Sequence, residues 1–472
     1  GASARIVNLE AQGAPEGQLL QPSSKLEVKA RDVGQTFAAT LDDSLLPDPA
    51  AGTPNIYLGA TSVFGLNIVG PDTDGDGRSE RLRKGDPKAQ WMPGQFGANG
   101  GPGTIYKIDR SSGAVTPFAT LPGNNAPGIG DIVFDTTSLH FYASDLDSGR
   151  IHRIDTAGNL IDVFDHGEAG RAAVGLAPVA DDGKTANIKS ASFKTDDPAT
   201  WGFTQPERRV WGLGLRAGRL YYATAGGPTI WSVSIGLDGA FGSDARREID
   251  VSGTPANNPI TDIVFDKADH MYVAQRGAVT GSYDYSVFAK PKQSIVFRYR
   301  RELPDDPTTP GIWSPIPGEL AVGLPPDHRN TSGGLALGYG YDESGAVRRG
   351  TCDAFVWSTG DNLRDGSALD PAVSLTGPAN VHGVQGSART LLRPDNEPPT
   401  SAYFLDFDGR FDASTRHGHT GDIEIWQPCD PKAEYGSYAP LPDWPPVAMP
   451  PSPPPSWGGS PPGLGTNLRL QK

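Results

Sequence analysis

Short apolar runs separated by turn residues recur along the chain, and the clearest set lies within residues 128–167. There the runs 131–135, 140–143, 151–155 and 160–164 are rich in Ile, Val, Phe and Tyr, and Gly, Asp, Ser and Asn stand between them. Runs of this length and composition predict strands joined by tight turns. Four antiparallel strands in about forty residues have the dimensions of one propeller blade.

The same unit recurs elsewhere in the chain. Residues 261–266 repeat the first strand almost letter for letter, and further copies lie at 211–233 and, opened by a long insertion, at 55–118. Two fainter copies lie at 334–359 and 381–426. A blade cannot bury both its faces alone, whereas a closed ring of blades does so without exposed edges. We therefore predict an all-β fold, a six-bladed β-propeller, with seven or eight blades less favoured.

The residues that carry a family resemblance are Asp-Ile-Val-Phe-Asp at 131–135, the apolar strand after it and Ser-Gly-x-Ile-x-Arg-Ile-Asp at 148–155. This pattern resembles the six-bladed propellers of the NHL-repeat and gluconolactonase (SMP-30) type, over roughly residues 55–430. The resemblance implies an architecture and no particular activity. A second resemblance, of Ile-Asp-Arg-Ser-Ser-Gly at 108–113 to PQQ-type propellers, competes with it. The repeats are too few for the roughly eight blades of that type.

The composition fits a loop-rich β protein. The 472 residues include 60 Gly and 44 Pro, and 37% are hydrophobic, which still supplies a core between blades. The formal net charge of −14 argues against a phosphate-binding or nucleic-acid-binding surface. No run of apolar residues is long enough to predict a membrane span.

The first residues and the cysteines predict an extracytoplasmic protein. The chain starts Gly-Ala-Ser-Ala without methionine, which we interpret as a mature N-terminus after signal removal, with a cleaved tag as the alternative. Secreted, periplasmic or cell-surface localisation is therefore expected. Secreted chains with two cysteines usually pair them, so Cys352 and Cys429 are predicted to form a disulfide. In a cytosolic chain both would be buried thiols.

Three regions are expected along the chain. Residues 1–50 do not fit the repeat and form an N-terminal arm that could supply strands closing the propeller. Residues 51–430 form the propeller, with an insertion at 66–103. Residues 431–472 form an extended proline-rich tail, with 11 prolines between positions 440 and 462. The tail is predicted to pack on its own propeller or on another subunit.

The sharpest short motif is Asp-Thr-Asp-Gly-Asp-Gly-Arg-Ser-Glu at 72–80. Carboxylates at alternate positions converge if the loop curls, and oxygen ligands at this spacing suit Ca²⁺. The motif resembles the calcium loops of secreted bacterial repeat proteins and departs from the EF-hand, since Arg83 stands at its twelfth position. An acidic turn without an ion is the alternative. The candidate ligands of a structural calcium ion are Asp72, Asp74, Asp76, Arg78 and Glu80.

The one histidine cluster of the sequence also suggests metal ligands. It contains His417 and His419, with Asp422 or His382 as a third ligand. Two solvated loop histidines are the alternative.

The resemblance to gluconolactonases implies a tunnel metal held by a Glu, two Asn and an Asp. Asp131, Asn258 and Asp262 are available, but the glutamate is missing, since Asn55 stands where we would expect it. Asp131 and Asp262 occupy equal positions of two repeats, which favours a structural role such as bonding to a neighbouring blade's backbone.

These observations rank three functions. First is a calcium-stabilised binding or assembly module, whose protein partner or second copy would contact the long insertions, gathered on one face, or the tail. Second is a metal-dependent hydrolase or lactonase with a site in the central tunnel. Third is a quinoprotein-like oxidoreductase. No catalytic residue is assigned, because the sequence contains no GxSxG elbow, CxxCH haem motif or dinucleotide fingerprint.

Overall fold

A computed structural model describes residues 1–427 except positions 12, 43–52, 81–84, 253–254, 256, 282–286, 292, 303–310, 324–326, 365–379, 398 and 411–416. The proline-rich tail and Cys429 lie outside these residues, so the predicted disulfide with Cys352 and the packing of the tail stay predictions. No helix in the described part of the chain has the length and apolar character needed to cross a membrane.

Five four-stranded antiparallel meanders form the body of the molecule. Blade 1 contains β4 (Thr36–Leu41), β5 (Ile56–Ala60), β8 (Thr104–Ile108) and β9 (Val115–Thr120), and the short strands β6 (Ile68–Val69) and β7 (Gln90–Trp91) pair within its insertion. Blade 2 contains β10 (Ile129–Asp135), β11 (His140–Asp145), β12 (Arg150–Ile154) and β13 (Leu160–Asp165). Blade 3 contains β14 (Val210–Arg216), β15 (Arg219–Thr224), β16 (Thr229–Ser234) and β17 (Arg246–Asp250). Blade 4 contains β18 (Ile260–Phe265), β19 (His270–Gln275), β20 (Val296–Arg301) and β21 (Trp313–Leu320).

Blade 5 is the least regular blade. It contains β22 (Thr331–Gly338), β25 (Phe355–Gly360), β26 (Gly383–Ala388) and β27 (Ala402–Asp406), and a hairpin of β23 (Gly340–Tyr341) and β24 (Val347–Arg348) leaves it between the first two. The N-terminal strand β2 (Gln18–Leu20) pairs in parallel with β27 as a fifth, outermost strand. The other N-terminal strands, β1 (Ala2–Val7) and β3 (Ser24–Lys29), pair with each other.

Helical structure is limited to four short segments in the described residues. They are α1 (Ala30–Val33), α2 (Arg171–Ala173), a π-helical turn at His166–Gly170 and a 3₁₀ turn at Pro198–Thr200.

The predicted all-β propeller is confirmed, but the described residues form five four-stranded blades and not six. The two faint units predicted at 334–359 and 381–426 are halves of blade 5, because β25 and β26 pair along six residues each. Blade 1 also begins earlier than its repeat pattern suggested, since Thr36–Leu41 forms its innermost strand.

A sixth sector separates blade 5 from blade 1 without forming a four-stranded blade. Residues 419–426 run along the axis there, and Asp422 N donates to Phe37 O of blade 1, while Thr359 Oγ1 of blade 5 donates to Gly421 O. Outside this segment lies the sheet of β1 and β3, whose apolar side chains pack toward both neighbouring blades. The ring is therefore closed by segments from both ends of the described chain.

Aromatic and aliphatic side chains fill the wedges between successive blades. Tyr57 of blade 1 contacts Phe141 of blade 2 with ring centroids 4.4 Å apart, and Tyr221 of blade 3 contacts Phe265 of blade 4 at 4.9 Å. Buried aromatic pairs of this kind contribute about 0.5–1.5 kcal/mol beyond their area. The core therefore consists of wedges between blades and not of one central cluster.

The long connections leave from one face, which we call the insertion face. In every blade the innermost strand comes first, so the links from second to third strand and from one blade to the next emerge on the same side. The long links that leave from the insertion face begin after Ala60, Asp165, Gln275 and Gly360. In blade 4, β20 ends and β21 begins on the opposite face.

Candidate functional site

An apolar cluster covers the insertion-face ends of blades 1 to 3. Phe96 comes from the insertion of blade 1, and Phe193, Trp201 and Phe203 come from the segment between blades 2 and 3. They pack with Trp211, the second residue of the innermost strand of blade 3. The insertions are thus folded onto the propeller body.

The buried side chain of Arg276 crosses the axis at this face. It follows the second strand of blade 4, yet its guanidinium carbon lies 5.5 Å from the ring of Phe37 in blade 1 and 5.0 Å from the ring of Phe64. Its Nη2 donates to the main-chain oxygen of Gly418, in the sixth sector, at 2.8 Å. Burial lowers the pKa of Arg276 to about 10, so it is still cationic at neutral pH. Arg276 therefore links blade 4 to blade 1 and to the sixth sector.

Three buried aspartates occupy alternate sectors around the axis and make the same bonds. Asp131 Oδ2 accepts the N–H of Leu213 at 2.7 Å, and Asp262 Oδ2 accepts the N–H of Leu335 at 2.6 Å. Asp422 Oδ2 accepts the N–H of Ala39 at 3.4 Å. Each partner N–H belongs to the innermost strand of the next blade. Asp131 and Asp422 also accept the N–H of the isoleucine that follows each of them in the sequence.

The environment of these aspartates disfavours their ionised form. Burial, and next the charge of Asp262, raises the pKa of Asp131 well above its ordinary value. Burial likewise raises the pKa of Asp262 to about 7. Burial and the charges of Asp262 and Asp131 raise the pKa of Asp422 well above its ordinary value. A shared proton between such close carboxyl groups is the expected state near neutral pH.

The structure does not assemble the predicted tunnel site as a ligand set. Asn258 uses its amide in main-chain bonds, donating to Gln293 O at 3.1 Å and accepting from Ala278 N at 3.2 Å. Asp131 and Asp262 make the bonds between blades that equal positions in a repeat favoured. Asp422 is the third member of this set, and the pair Asp422-Ile423 resembles Asp131-Ile132 closely enough to have indicated it.

The predicted histidine cluster is rearranged. Asp422 faces the axis, whereas His419 and His382 flank the buried Asp361, with ring nitrogens 3.8 and 3.5 Å from Asp361 Oδ1. Asp361 Oδ2 accepts the N–H of His419 at 2.9 Å. Burial would raise the pKa of Asp361, but the bond to His382 and the charge of His419 hold it below its ordinary value. Sequence reasoning missed Asp361, which follows β25 directly.

The acidic loop at 72–80 curls as its glycines and alternating carboxylates suggested. Asp72 accepts the N–H groups of Gly75 and Gly77 at 2.7 and 2.8 Å, and these bonds lower the pKa of Asp72. Glu80 Oε1 accepts Thr73 Oγ1 at 3.0 Å and closes the loop. Asp76 Oδ1 accepts the N–H of Arg78 at 2.8 Å. All five residues predicted to hold the ion are exposed or half-buried.

The loop passes a geometric test for a cation site. One oxygen each of Asp72, Asp74 and Glu80 lie within 4.8 Å of one another. Oxygens about 2.3–2.6 Å from one Ca²⁺ ion can be this far apart. In the described residues this is the one group of three acidic, histidine or cysteine side chains that converges so closely. Asp76 is outside it, and Arg83 lies outside the described residues.

Comparison with known proteins gives no family. No family model matches the chain, and no curated protein matches it. Solved structures match at low similarity. A calcium-binding protein, regucalcin, from Agrobacterium tumefaciens is 12% identical, with 77% of this chain and 88% of that chain covered and a TM-score of 0.33. A putative 6-phosphogluconolactonase from Bacteroides uniformis is 12% identical, with 83% and 90% covered and a TM-score of 0.34.

The Dos1 propeller is 13% identical over 76% of this chain, with a TM-score of 0.31, and the match spans 61% of that chain. Likeness this low says nothing about activity.

Proposed function

We propose that this chain is a calcium-stabilised β-propeller that binds or assembles with a partner through its insertion face. The observation that carries the proposal is the structural role of the polar residues near the propeller axis. Asp131 and Asp262 bond the innermost strands of neighbouring blades, and Arg276 links blade 4 to blade 1 at the insertion face. The polar residues near the axis thus stabilise the contacts between blades, and the insertions provide the surface available for recognition.

A structural calcium ion fits this role. Long connections cost conformational entropy unless something orders them. The loop at 72–80 lies within the insertion of blade 1, where the main chains of Gly70 and Glu80 pair with each other. An ion held by Asp72, Asp74 and Glu80 would fix the exposed end of that insertion. The ion would act on stability and on presentation of the face, with no part in a reaction.

The proposed setting is outside the cytoplasm. Extracellular fluids hold enough calcium for modules whose dissociation constants lie around 10⁻⁴–10⁻³ M. The acidic surface and the loop-rich composition suit a secreted, periplasmic or cell-surface protein. We propose a protein partner, or a second copy of this chain, as the occupant of the insertion face.

One observation favours a second candidate, a metal-dependent hydrolase or lactonase. Asp131, Asp262 and Asp422 are buried near the axis, and their raised pKa values mark a place where a cation would replace a shared proton. In this alternative the metal would lie on the axis and not in the insertion.

Calcium titration of the purified chain separates the two candidates. We expect one calcium ion to bind and to raise the unfolding free energy by about 2.7 kcal/mol at a hundredfold excess over the dissociation constant. Asp74→Asn should abolish this stabilisation, since it removes a charged ligand but keeps an acceptor for the N–H of Asp76. Calorimetry and thermal unfolding measure both effects.

The matched control is Asp238→Asn, which alters an exposed turn on which Asp238 Oδ1 accepts the N–H of Ala240. It should leave calcium binding unchanged. Calcium retained in Asp74→Asn but lost in Asp131→Asn would contradict the proposal and favour the hydrolase. A screen for ester and lactone hydrolysis, with metal content measured by plasma mass spectrometry, would then be the next step.

A further inference from the structure

A cavity of about 270 Å³ opens on the insertion face between blades 3 and 4. Trp211 and Pro259, at the starts of the two blades, form its floor together with Val279. The opposite wall comes from the insertion between blades 2 and 3 and includes Lys184 and Phe203. Blades supply one side of the cavity and an insertion the other, so the insertion makes this pocket.

Two cations line the cavity, and its lining residues include no carboxylate. This is unusual for a chain with a net charge of −14. Within the described residues both cations bond only to main-chain oxygens. Lys184 Nζ donates to Ala199 O at 2.6 Å, and Arg209 Nε donates to Thr204 O at 3.0 Å.

The guanidinium of Arg209 is held in a fixed position. Its Nη2 also donates to Thr204 O, and its central carbon lies 4.8 Å from the ring of Phe203. Burial lowers the pKa of Arg209 to about 10, partly offset by the charge of Glu207, so it is cationic at neutral pH. With Nε and one N–H of Nη2 engaged, the N–H groups of Nη1 and the second N–H of Nη2 are left for further acceptors. A half-buried cation without a bonded carboxylate favours an anion beside it.

Aromatic rings provide the rest of the recognition surface. The rings of Phe203 and Trp211 are 6.3 Å apart with an interplanar angle of 29°, and both residues are buried. Pro259 and Val279 extend this apolar surface. An apolar cavity of about 150 Å³ is enough to hold a benzene molecule. The space here therefore fits one aromatic ring with a short polar substituent.

We propose that this cavity binds a small aromatic carboxylate, with its carboxylate toward Arg209 and Lys184 and its ring against Phe203 and Trp211. The planar guanidinium of Arg209 matches a planar carboxylate. The rings of Phe203 and Trp211 favour an aromatic carboxylate over inorganic phosphate, which has no apolar part. The proposal goes beyond the proposed function, since it adds a small-molecule site to the insertion face on which a protein partner or second copy is proposed.

Phenylacetate is a suitable probe for calorimetry or ligand-detected NMR. We expect saturable binding at one site per chain, and binding of the neutral phenylacetamide that is weaker by about tenfold or more, because a charge-assisted hydrogen bond is lost. Arg209→Gln should weaken phenylacetate by a similar factor. Lys189→Gln, at an exposed lysine of the same insertion outside the cavity, should leave binding unchanged.

A second variant distinguishes a specific loss of binding from misfolding of the chain. Ala225→Leu adds volume at a lining position and keeps both cations, so it should abolish phenylacetate binding in a chain whose circular dichroism is unchanged. Binding unaffected by Ala225→Leu and Arg209→Gln, equal binding of inorganic phosphate, or no binding of phenylacetate would each overturn the proposal. Calcium binding through Asp74 is measured separately, so failure of one proposal is distinguishable from failure of the other.

Discussion

Replacing Asp165 by alanine is expected to destabilise the fold by about 3–5 kcal/mol, the usual cost of breaking a buried ion pair from one side. Asp165 Oδ2 lies 2.9 Å from Nη2 of Arg208, whose side chain is fully buried. Arg208 also donates to Ser148 O and Val179 O at 2.7 and 2.6 Å. The variant would leave a buried guanidinium without its counter-charge, because no other carboxylate among the described residues bonds to it.

Asp162→Ala is the matched control for this change. Asp162 lies on the same strand, is 41% exposed and contacts Arg153 at 3.9 Å, so its loss should cost about 1 kcal/mol or less. Urea unfolding at neutral pH measures both variants. A cost for Asp165→Ala no greater than that of the control would contradict the expectation. Adding Arg208→Met to Asp165→Ala should recover part of the loss, since it removes the unpaired charge.

Arg208 also links stability to the proposed binding face. Val179 lies within the insertion between blades 2 and 3, which supplies Lys184 and Phe203 to the cavity. Breaking the Asp165–Arg208 pair should therefore weaken phenylacetate binding, in addition to destabilising the fold.

The architecture could be predicted from the sequence because blade 2 and the first three strands of blade 3 keep regular spacing, and the first two strands of blade 4 repeat those of blade 2. The blade count was wrong because blade 5 does not: residues 339–354 separate its first two strands, and 361–382 separate the next two. Recognition of a repeat depends on spacing, so one blade with long connections resembled two short units. The innermost strand of blade 1 was missed as a blade strand for the same reason, since residues 42–55 separate it from the next strand.

The candidate sites differ in how far apart their contacting residues are in the sequence. The convergence of Asp72, Asp74 and Glu80 could be predicted, because a loop of nine residues contains all of it. The bond from Arg276 to Gly418 joins residues 142 positions apart, and no local pattern indicates it. The cavity requires two blades and an insertion to be placed relative to each other. Sites that depend on closure of the ring of blades can be identified only from the three-dimensional structure.

The last expected result concerns the response of stability to pH. The pKa of Asp262 rises from an ordinary value near 3.8 to about 7 in the folded protein, and those of Asp131 and Asp422 rise as well. A raised carboxyl pKa means that the folded state binds protons more tightly than the unfolded state. The resulting stabilisation is complete below about pH 3.8 and is lost as the pH rises through the folded values.

We therefore expect the contribution of these three groups to make the fold less stable as the pH rises from 5 to 8, by about 1.4 kcal/mol per pH unit for each group that is protonated in the fold but not in the unfolded chain. Other groups titrate in this range, among them Asp147, whose pKa burial raises to about 7. The measurement is therefore a difference between wild type and Asp262→Asn, taken by urea unfolding at each pH. The variant should show the smaller loss of stability, because it cannot ionise.

The same experiment bears on the function of the axis. In the binding module, Asp131, Asp262 and Asp422 share protons, and their pH dependence should not change when calcium is added, since calcium binds at Asp74. In a hydrolase with an axial metal, the cation would replace those protons, and adding it would flatten the pH dependence of wild type until it resembled Asp262→Asn. Equal slopes for wild type and Asp262→Asn without added metal would contradict the raised pKa of Asp262 itself. A slope that calcium leaves intact would support an axis built to hold blades together.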